Sequence, residues 1–389
     1  MSTRDRLTAL DPERLLAFTQ ELIRTPSLST EEAAISRLIA GEMERLGYDQ
    51  VRVDELNNVV GVIRGAAPGP RLLFNGHIDH AGVGDMPEPF SAKLLDGEPF
   101  GHSGQVVYGR GACDMKAAVA AMVQAGGAAK RAGLVRAGEL IVSCVAREEM
   151  ARGEGVKHLL DQGLRADFAV SGEASGLKVY LGHRGKFECR VTTHGRTTHG
   201  ANPAGGVNAI YEMNRFLSAL QEDYPLPEHP FLGRATVTVL DIMASPGALT
   251  PIVPDRCAAI VDRRFLPDED EAGLLAGFRE LFARIQEKHP RFKAEVESLK
   301  WFPAMWTPPE EPIVRAMFQA RERVLGTAGS PGAWYFGVDG TFINQAGIPT
   351  VGLGPGNEYL AHTPNDVTPV QEIQDAARIY LALIEQLCG

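Results

Sequence analysis

The apolar residues of the chain change their spacing along the sequence, and each spacing predicts a different kind of element. Between residues 12 and 47 they recur at helical intervals, whereas residues 59–63 and 71–75 are short apolar runs flanked by glycine and proline. Another apolar run, residues 140–146, follows an alanine-rich stretch over residues 115–131 that predicts a helix. Helices that alternate with buried strands are typical of an α/β fold with a mostly parallel sheet covered on both faces.

The pattern changes near residue 182, and the following segment predicts a separate domain. Residues 186–192 alternate polar and apolar side chains as a half-exposed strand does. The predicted elements then continue as helix, strand, strand, helix and strand, and this β-α-β-β-α-β order is typical of a ferredoxin-like fold. We predict an inserted α+β domain over residues 183–298, with residues 1–182 and 299–389 forming the first domain.

Composition argues against several classes of protein. The 389 residues include 39 basic and 49 acidic side chains, and the net charge of −10 argues against a nucleic-acid partner. No segment has the roughly 18 consecutive apolar residues that a membrane span requires. The segment from Met1 to Arg14 lacks the apolar core of a secretory signal, so we expect a cytoplasmic protein with no membrane partner. The five cysteines form no CxxC pair, which argues against disulfides and a thiolate zinc site.

Polar side chains follow the predicted strands at the points where these strands end. They are His77, Glu148, Glu149, Glu173 and His362. Open α/β sheets bind ligands outside the carboxyl ends of their strands, so one crevice is expected to collect all five. Imidazoles and carboxylates without thiolates suit two divalent ions, with zinc as the first candidate and cobalt or manganese as alternatives.

The spacing of these residues predicts some of their roles. Asp79 lies two positions after His77, on the same side of a strand, and is expected to hydrogen-bond the ring of His77 without binding metal. Glu148 and Glu149 are adjacent and cannot point the same way. One would bind metal, while the other would take a proton from water and later give it to the leaving nitrogen. Asp114 precedes a predicted helix and can bridge two ions with its two oxygens.

Each residue taken alone has a simpler interpretation. A loop histidine is more often solvated or in the core, a Glu pair more often starts a solvated helix, and an Asp before a helix is more often its N-cap. Their joint occurrence at strand ends favours a two-metal hydrolase. Three ligand carboxylates against two divalent cations would leave the site positive and attract a substrate carboxylate. The alternative from another class is a catalytically silent protein that binds a small acid.

Seven stretches of the chain together resemble one enzyme family. They are FNGHID, VYGRGACDMKAA, VAREEM, SGE, GRTTHGANPAGGVNAI, DRRFLP and GPGNEYLAHTPND. The chain resembles the zinc-dependent aminoacylase/carboxypeptidase family, which includes acetylornithine deacetylase, succinyl-diaminopimelate desuccinylase, aminoacylase and the glutamate carboxypeptidases. The resemblance runs over nearly the whole length and implies a di-zinc exopeptidase-like fold with an inserted lid and dimerisation domain.

The resemblance also implies a complete set of metal ligands. His77 and Glu173 would hold one ion, Glu149 and His362 would hold the other, and Asp114 would bridge the two. It assigns the base role to the remaining glutamate of the adjacent pair, Glu148, and it places Asp79 behind the first histidine.

The resemblance implies further roles for residues of the inserted domain. This domain would form a homodimer, and His199 would reach the active site of the partner subunit to stabilise the oxyanion. Arg264 matches a position that holds a substrate carboxylate, a task that suits the guanidinium fork. Asn208 would lie near the substrate, although physical reasoning alone makes it a helix cap.

The stretch Gly337 to Phe342, GVDGTF, departs from the family pattern. Gly337 and Asp339 remain candidate substrate-binding residues, but Val338 and Thr341 replace a hydroxyl residue and an arginine found in several relatives. The missing arginine argues against a desuccinylase, because a diacid substrate would need that cation. The stretches LGHRG, at Leu181 to Gly185, and GPGNEYLAHT resemble the acetylornithine deacetylase side of the family. We therefore expect an acetylornithine deacetylase-like amidohydrolase that removes an N-acyl group, with N-acetyl first, from an amino acid. The same machinery would also serve a dipeptidase, a carboxypeptidase or a desuccinylase.

Overall fold

The described part of the chain forms two units in a computed structural model that covers residues 9–247 and 251–389. The first unit contains the described residues as far as Gly182 together with Met305–Gly389, and the second contains His183–Ala304. The chain returns to the first unit later than residue 298, because the last strand of the second unit runs to Phe302. Residues 1–8, on which the expectation of a cytoplasmic protein largely depends, lie outside the described part.

The secondary structure alternates between strands and helices. In chain order the described strands are β1 (Gln50–Val53), β2 (Val59–Arg64), β3 (Ala67–His77), β4 (Lys93–Asp96), β5 (Gln105–Tyr108), β6 (Ala137–Val145), β7 (Phe168–Ser171), β8 (Tyr180–His183), β9 (Gly185–His194), β10 (Glu228–His229), β11 (Gly233–Arg234), β12 (Thr236–Ser245), β13 (Arg256–Phe265), β14 (Ala294–Phe302), β15 (Met305–Trp306), β16 (Gly332–Trp334), β17 (Thr350–Gly352) and β18 (Val367–Pro369). The described α-helices are α1 (Pro12–Arg24), α2 (Ala33–Arg45), α3 (Ala117–Ala132), α4 (Glu154–Asp161), α5 (Ala209–Glu222), α6 (Glu271–Lys288), α7 (Pro312–Leu325), α8 (Gly340–Gln345) and α9 (Val370–Cys388). None of these helices combines the length and the apolar composition needed to cross a membrane.

The large sheet of the first unit has a parallel centre and antiparallel flanking strands. Its strand order is β1-β2-β6-β3-β7-β17-β8-β15, and β16 pairs with β8. β3 runs parallel to its neighbours β6 and β7, and β17 runs parallel to β7. β2 pairs antiparallel with β1 and β6, and β8 pairs antiparallel with β17. The predicted α/β class with a mostly parallel sheet is confirmed.

The apolar runs form strands at this position because both faces of the sheet are covered. Leu72, Leu73 and Phe74 of β3 are fully buried, which explains why this strand is continuously apolar instead of alternating. The alanine-rich helix α3 is buried along most of its length, and its small side chains allow close packing. A Cβ atom at Gly126 would clash with the hydroxyl of Tyr48, so this glycine serves packing.

The second unit is built around one antiparallel sheet of strand order β12-β13-β9-β14. The strands and the helices α5 and α6 follow one another in the predicted β-α-β-β-α-β order. A single apolar cluster joins sheet and helices through Phe187 of β9, Phe216 of α5 and Phe278 of α6. The predicted ferredoxin-like inserted domain is thereby confirmed as a fold.

A small sheet of order β18-β5-β4 brings two distant segments of the first unit together. β18 pairs antiparallel with β5, so that Val367 lies opposite Tyr108. The backbone N–H of Gly109 donates to the carbonyl of Asp366, at 3.1 Å, just beyond this pair. The pairing therefore aligns the loop after β5 with the loop before β18, and each loop carries one of the predicted metal ligands.

Candidate metal centre

Three parallel strands deliver four of the predicted site residues to one edge of the large sheet. His77 is the last residue of β3, Glu148 and Glu149 lie in the turn after β6, and Glu173 follows β7 by two positions. Because β3 lies between β6 and β7, the carboxyl ends of the three strands are adjacent. This placement follows from the apolar runs alone, since each strand ends where its polar residues begin.

Asp114 and His362 reach the same place from loops. Asp114 lies in a π-helical turn, Ala112–Lys116, with the non-helical backbone angles φ −124° and ψ 91°. The α-helix begins at Ala117, so Asp114 lies before its first residue. His362 has a positive φ of 61°, which is uncommon for a residue with a side chain and indicates that its loop is held by tertiary contacts.

The carboxylate of Asp114 is shared between two histidines. Its Oδ1 lies 2.7 Å from His77 Nε2, and its Oδ2 lies 3.1 Å from His362 Nε2. Glu173 Oε1 approaches His77 Nε2 at 3.7 Å, and Glu149 Oε2 approaches His362 Nε2 at 3.0 Å. The five predicted ligands thus form two histidine–carboxylate pairs with one carboxylate between them, which is the arrangement that a bridged pair of ions requires.

The donor set fits divalent metal ions. His77, Asp114 and Glu149 each offer one ligand atom, and these three atoms lie within 4.8 Å of one another. Two imidazoles and three carboxylates are the donors that zinc and similar ions accept in sites with open positions. The carboxyl group of Glu173 is buried, and burial raises its pKa well above the usual value, with the nearby Asp114 charge adding to the effect. A bound cation would offset the cost of ionising such a group.

The pKa values of both histidines are also raised, which favours their charged forms. Burial disfavours the His77 cation, but the carboxylates of Glu173 and Asp114 outweigh it and raise the pKa of His77 well above the usual value. Hydrogen bonds to Asp114 and Glu149 raise the pKa of His362 to about 10. Burial alone would raise the pKa of Asp114, but its bonds to His362 and His77 lower that pKa overall. Metal ions therefore compete with protons for both imidazoles.

Asp79 acts on the site differently from the sequence-based expectation. β3 ends at His77, so Asp79 lies beyond the strand, and the nearest acceptor to His77 Nδ1 is the backbone carbonyl of Asp79 at 2.9 Å. The Asp79 carboxylate lies farther away, with Oδ1 at 3.5 Å from that nitrogen. Its oxygens instead accept the backbone N–H groups of Glu148 and Glu149, each at 3.1 Å. Asp79 therefore orients the glutamate turn as well as the histidine.

The two adjacent glutamates differ in their surroundings. The Glu149 carboxylate contacts His362 and accepts the backbone N–H of Ala81 at 2.9 Å. Burial raises the pKa of Glu148 well above its usual value, although the His77 charge opposes this and Asp339 adds to it. A carboxylate with a raised pKa is a better acceptor for a proton from water.

Asp339 and Gly337 lie before helix α8 in the first unit. Asp339 occupies the N-cap position of α8, but its side chain makes no capping hydrogen bond. Both of its carboxylate oxygens are buried and lack a hydrogen-bond partner among the described residues, and burial raises its pKa to about 7. Val338 and Thr341 are fully buried. Gly337 is only partly buried, and its predicted contact with substrate stays a prediction.

Two predicted residues of the second unit have local partners of their own. His199 is exposed, and its Nδ1 accepts the backbone N–H of Ala201 at 3.1 Å. Asn208 caps α5, since its side chain accepts the backbone N–H of Ile210 at 2.9 Å. The helix-cap interpretation of Asn208 is confirmed, whereas the substrate roles of both residues stay predictions.

The two arginines at the end of β13 face opposite sides of the sheet, as strand alternation requires. Arg264 pairs with Asp262 on the same face, with Nε at 2.8 Å from Oδ1. Arg263 is buried on the other face, where its Nη2 lies 2.7 Å from Glu269 Oε1. Arg264 is partly exposed, and its predicted contact with a substrate carboxylate stays a prediction.

Some residues that shape the site were not predicted from the sequence. Ser29 donates from its hydroxyl to Asp79 Oδ2 at 2.6 Å, and Ser27 donates to the carbonyl of Ile78 at 2.7 Å. Asp366 accepts hydrogen bonds from the loop that carries Asp114. Ser27 and Ser29 belong to no motif with a metal-site spacing. Asp366 lies within the stretch GPGNEYLAHTPND, so its position could have drawn attention to it.

Comparison with known proteins places this geometry in a family. The sequence profile of peptidase family M20/M25/M40 matches residues 73–386, which include every predicted metal ligand. The chain belongs to peptidase family M20/M25/M40. The expected resemblance to zinc-dependent aminoacylases and carboxypeptidases is confirmed at this level.

Several known proteins match the chain over nearly its whole length. The uncharacterized protein YgeY of Escherichia coli (strain K12) is 33% identical over 384 residues, covering 94% of this chain and 92% of its own. Aminopeptidase PepT from Bacillus cereus ATCC 10987 has a TM-score of 0.80 at 22% identity and covers 98% of this chain and 100% of its own. The Bacillus subtilis YXEP protein, a dinuclear metal-binding peptidase from the M20 family, has a TM-score of 0.73 at 16% identity, covering 97% and 98%.

Family membership settles the general class of activity. Members of the M20 family are metal-dependent hydrolases of amide bonds, and this chain is an enzyme of that class. The cluster around Asp114 supplies the metal-binding groups that such an enzyme needs. The family match therefore argues against the alternative of a catalytically silent binding protein.

The raised pKa of His362 predicts how the metal-free protein responds to pH. Because the pKa in the folded chain is about 10, this histidine stabilises the fold fully below its unfolded pKa of about 6.5 and loses that contribution as the pH rises towards about 10. The unfolding temperature of chelator-treated protein should therefore fall between these pH values. The fall should be smaller for His362→Gln.

The control is His289→Gln, which changes an exposed histidine at the end of α6. Its unfolding temperature should follow the wild-type pH dependence. Parallel curves for wild type and His362→Gln would show that the two carboxylates do not hold the histidine as a cation.

Proposed function

We propose that the chain hydrolyses the amide bond of small amino-acid derivatives, with Glu148 as the general base. The proposal rests on the contacts of Asp114. One of its carboxylate oxygens contacts His77 and the other contacts His362, and each histidine also contacts a glutamate. Glu148 lies in the same turn as one of these glutamates, and Asp79 holds the backbone of that turn.

His77 and Glu173 would hold one ion, Glu149 and His362 the other, and Asp114 would bridge them. When bound, two such ions would supply the positive charge that lowers the pKa of a water molecule at the site and polarises the substrate carbonyl. The proposed first-ion ligands lie at strand ends and are almost fully buried, so they are held rigidly by the sheet. Zinc is our first candidate, with cobalt and manganese as alternatives, because all three accept these donors.

The chemistry that falls to the protein is the movement of one proton. The carboxylate of Glu148 would take a proton from the attacking water, whose oxygen bonds to the amide carbon. The same carboxyl group would then deliver the proton to the amide nitrogen as the carbon–nitrogen bond breaks. The products are a carboxylic acid and an amine. The raised pKa of Glu148 supports this role, because the group must both accept and return the proton.

Two substrate classes are compatible with this machinery. An N-acyl amino acid, with N-acetyl first, is supported by the motifs around Leu181–Gly185 and Gly354–Thr363 that resemble deacetylases. A short peptide is favoured by the similarity in fold to aminopeptidase PepT and to the YXEP peptidase. Both classes share a carboxylate, which the positive metal site would attract and which Arg264 is proposed to bind.

The substrate class can be tested by the release of free amine from a panel of N-acetyl, N-formyl and N-succinyl amino acids and dipeptides. Protein reconstituted with zinc, cobalt or manganese would be compared with chelator-treated protein. Metal-dependent turnover confined to dipeptides would select the peptidase, and turnover confined to acetylated substrates would select the deacetylase. Absence of turnover across the panel, with two ions bound, would refute the proposed substrate classes.

Replacement of Glu148 by Gln should lower kcat by about 10²-fold to 10⁴-fold, because glutamine cannot accept the proton. Metal content should stay at the wild-type level, since the proposed ligands are unchanged. Glu154→Gln is the matched control, because Glu154 pairs with Arg147 at 3.2 Å in the same region but touches no proposed ligand. Near wild-type kcat for Glu148→Gln would exclude Glu148 as the base.

We also propose that the second unit forms a homodimer through the edge strand β12. Leu240, Ile242 and Met243 of this strand are all exposed, at 57%, 48% and 64%. An edge strand with exposed apolar side chains offers unpaired backbone groups and an apolar surface for pairing with another copy. A monomer in sedimentation at micromolar concentration would contradict the proposal.

The proposed role of His199 in the partner's active site predicts complementation between two inactive variants. His199→Ala and Glu148→Gln proteins would each be almost inactive as homodimers. After subunit exchange, a mixed dimer holds one site with both groups, so activity should recover to about a quarter of wild type.

The control for complementation is a mixture in which one variant carries both substitutions. It should show no recovery, because no site would then contain both groups. Recovery in this control, or none in the test mixture despite subunit exchange, would exclude a role for His199 across the dimer.

A further inference from the structure

We propose that Asp366 is a positioning residue that sets the distance between Asp114 and His362 and so builds the second metal position. The inference rests on the proposed metal centre, and the sequence motifs alone predict no role for Asp366. It lies four positions after His362 and immediately before β18. It is fully buried, although aspartate is among the residues least often buried without a partner.

The carboxylate of Asp366 binds the loop that leads to Asp114. Its Oδ1 accepts the backbone N–H of Cys113 at 2.8 Å, and its Oδ2 accepts the backbone N–H of Gly111 at 2.8 Å. Its Oδ2 also lies 3.0 Å from Arg110 Nη1. Three donors from four consecutive residues thus converge on one side chain, directly before the bridging aspartate.

These bonds join two segments that are distant in sequence. Residues 110–114 follow β5, whereas Asp366 belongs to the segment that carries His362. The backbone pairing of β5 with β18 brings the segments side by side, and the Asp366 carboxylate fixes the curvature of the Asp114 loop. The contact between Asp114 Oδ2 and His362 Nε2, at 3.1 Å, lies at the far end of this joined unit.

The first metal position does not depend on Asp366 to the same extent. His77 and Glu173 are placed by the ends of β3 and β7 within the large sheet, and Asp366 makes no bond to either. His362 does not directly follow a strand, and its side chain is 53% exposed. Loss of the Asp366 bonds should therefore weaken the ion held by Glu149 and His362 more than the ion held by His77 and Glu173.

The test is a metal titration of Asp366→Asn, which keeps the size of the side chain but replaces one accepting oxygen by a donating amide. That amide would face a backbone N–H or the Arg110 guanidinium, so at least one of the three bonds is lost. Calorimetry should show one of the two ion affinities reduced by about 10-fold to 100-fold, as for other residues that orient metal ligands. The other affinity should change much less, because Asp366 makes no bond to His77 or Glu173.

The absorption spectrum of the cobalt-loaded protein supplies a readout that a general loss of stability would not alter. The band of the cobalt ion at the affected position should shift or weaken in Asp366→Asn, because the geometry at His362 changes. Asp167→Asn is the matched control, since Asp167 Oδ2 also accepts a distant backbone N–H, that of Arg71, at 2.7 Å. This control should keep both affinities and the spectrum.

Arg110→Met provides a second variant in case Asp366→Asn does not fold. It removes one of the three bonds and leaves both backbone bonds in place, so it should weaken the same ion by a smaller factor. Wild-type affinities and spectra in Asp366→Asn, or in Arg110→Met where only that variant folds, would overturn the inference. Failure of the wild-type protein to bind two ions would instead refute the proposed metal centre itself.

Discussion

The site depends on the sharing of one carboxylate between two histidines from opposite ends of the chain. Asp114 contacts His77 with one oxygen and His362 with the other, and each histidine is further approached by a glutamate. Burial is the main cause of the raised pKa values of Glu148 and Glu173, and repulsion from the other acidic groups of the crevice adds to it. Ionisation of these two glutamates is therefore costly without bound cations and becomes favourable when cations are bound nearby.

The fold meets this cost by using two kinds of support. The ends of β3, β6 and β7 hold His77, the glutamate turn and Glu173 at fixed spacing, because neighbouring parallel strands are locked by their hydrogen bonds. Asp114 and His362 have no strand of their own and depend on side chains that bind loop backbone. Asp79 plays the same part for the glutamate turn that Asp366 plays for the Asp114 loop.

The sequence predicted the parts of the site that follow from chain direction and periodicity. Apolar runs such as Leu72–Phe74 predicted where the strands end, and the polar residues that follow different strands lie close together in the structure. Contacts that depend on loop conformation could not be predicted in this way. The acceptor nearest His77 Nδ1 is the backbone carbonyl of Asp79, and the start of α3 is delayed by a π-helical turn. The roles of Asp366 and Ser29 could not be predicted from periodicity. Asp366 binds backbone amides and Ser29 binds the Asp79 carboxylate, and such contacts produce no periodic pattern in the sequence.

The sequence distance between His77 and His362 has a consequence for the order in which the protein matures. Helix α9, which follows His362, is largely buried in the first unit, so the loop that carries His362 depends on the packing of a helix that is made after it. The strands β3, β6 and β7, whose ends place His77, the glutamate turn and Glu173, are made well before that loop. These three strands are neighbours in the sheet and can pair before His362 is synthesised, so the second ion position is completed later than the strand ends that supply the first.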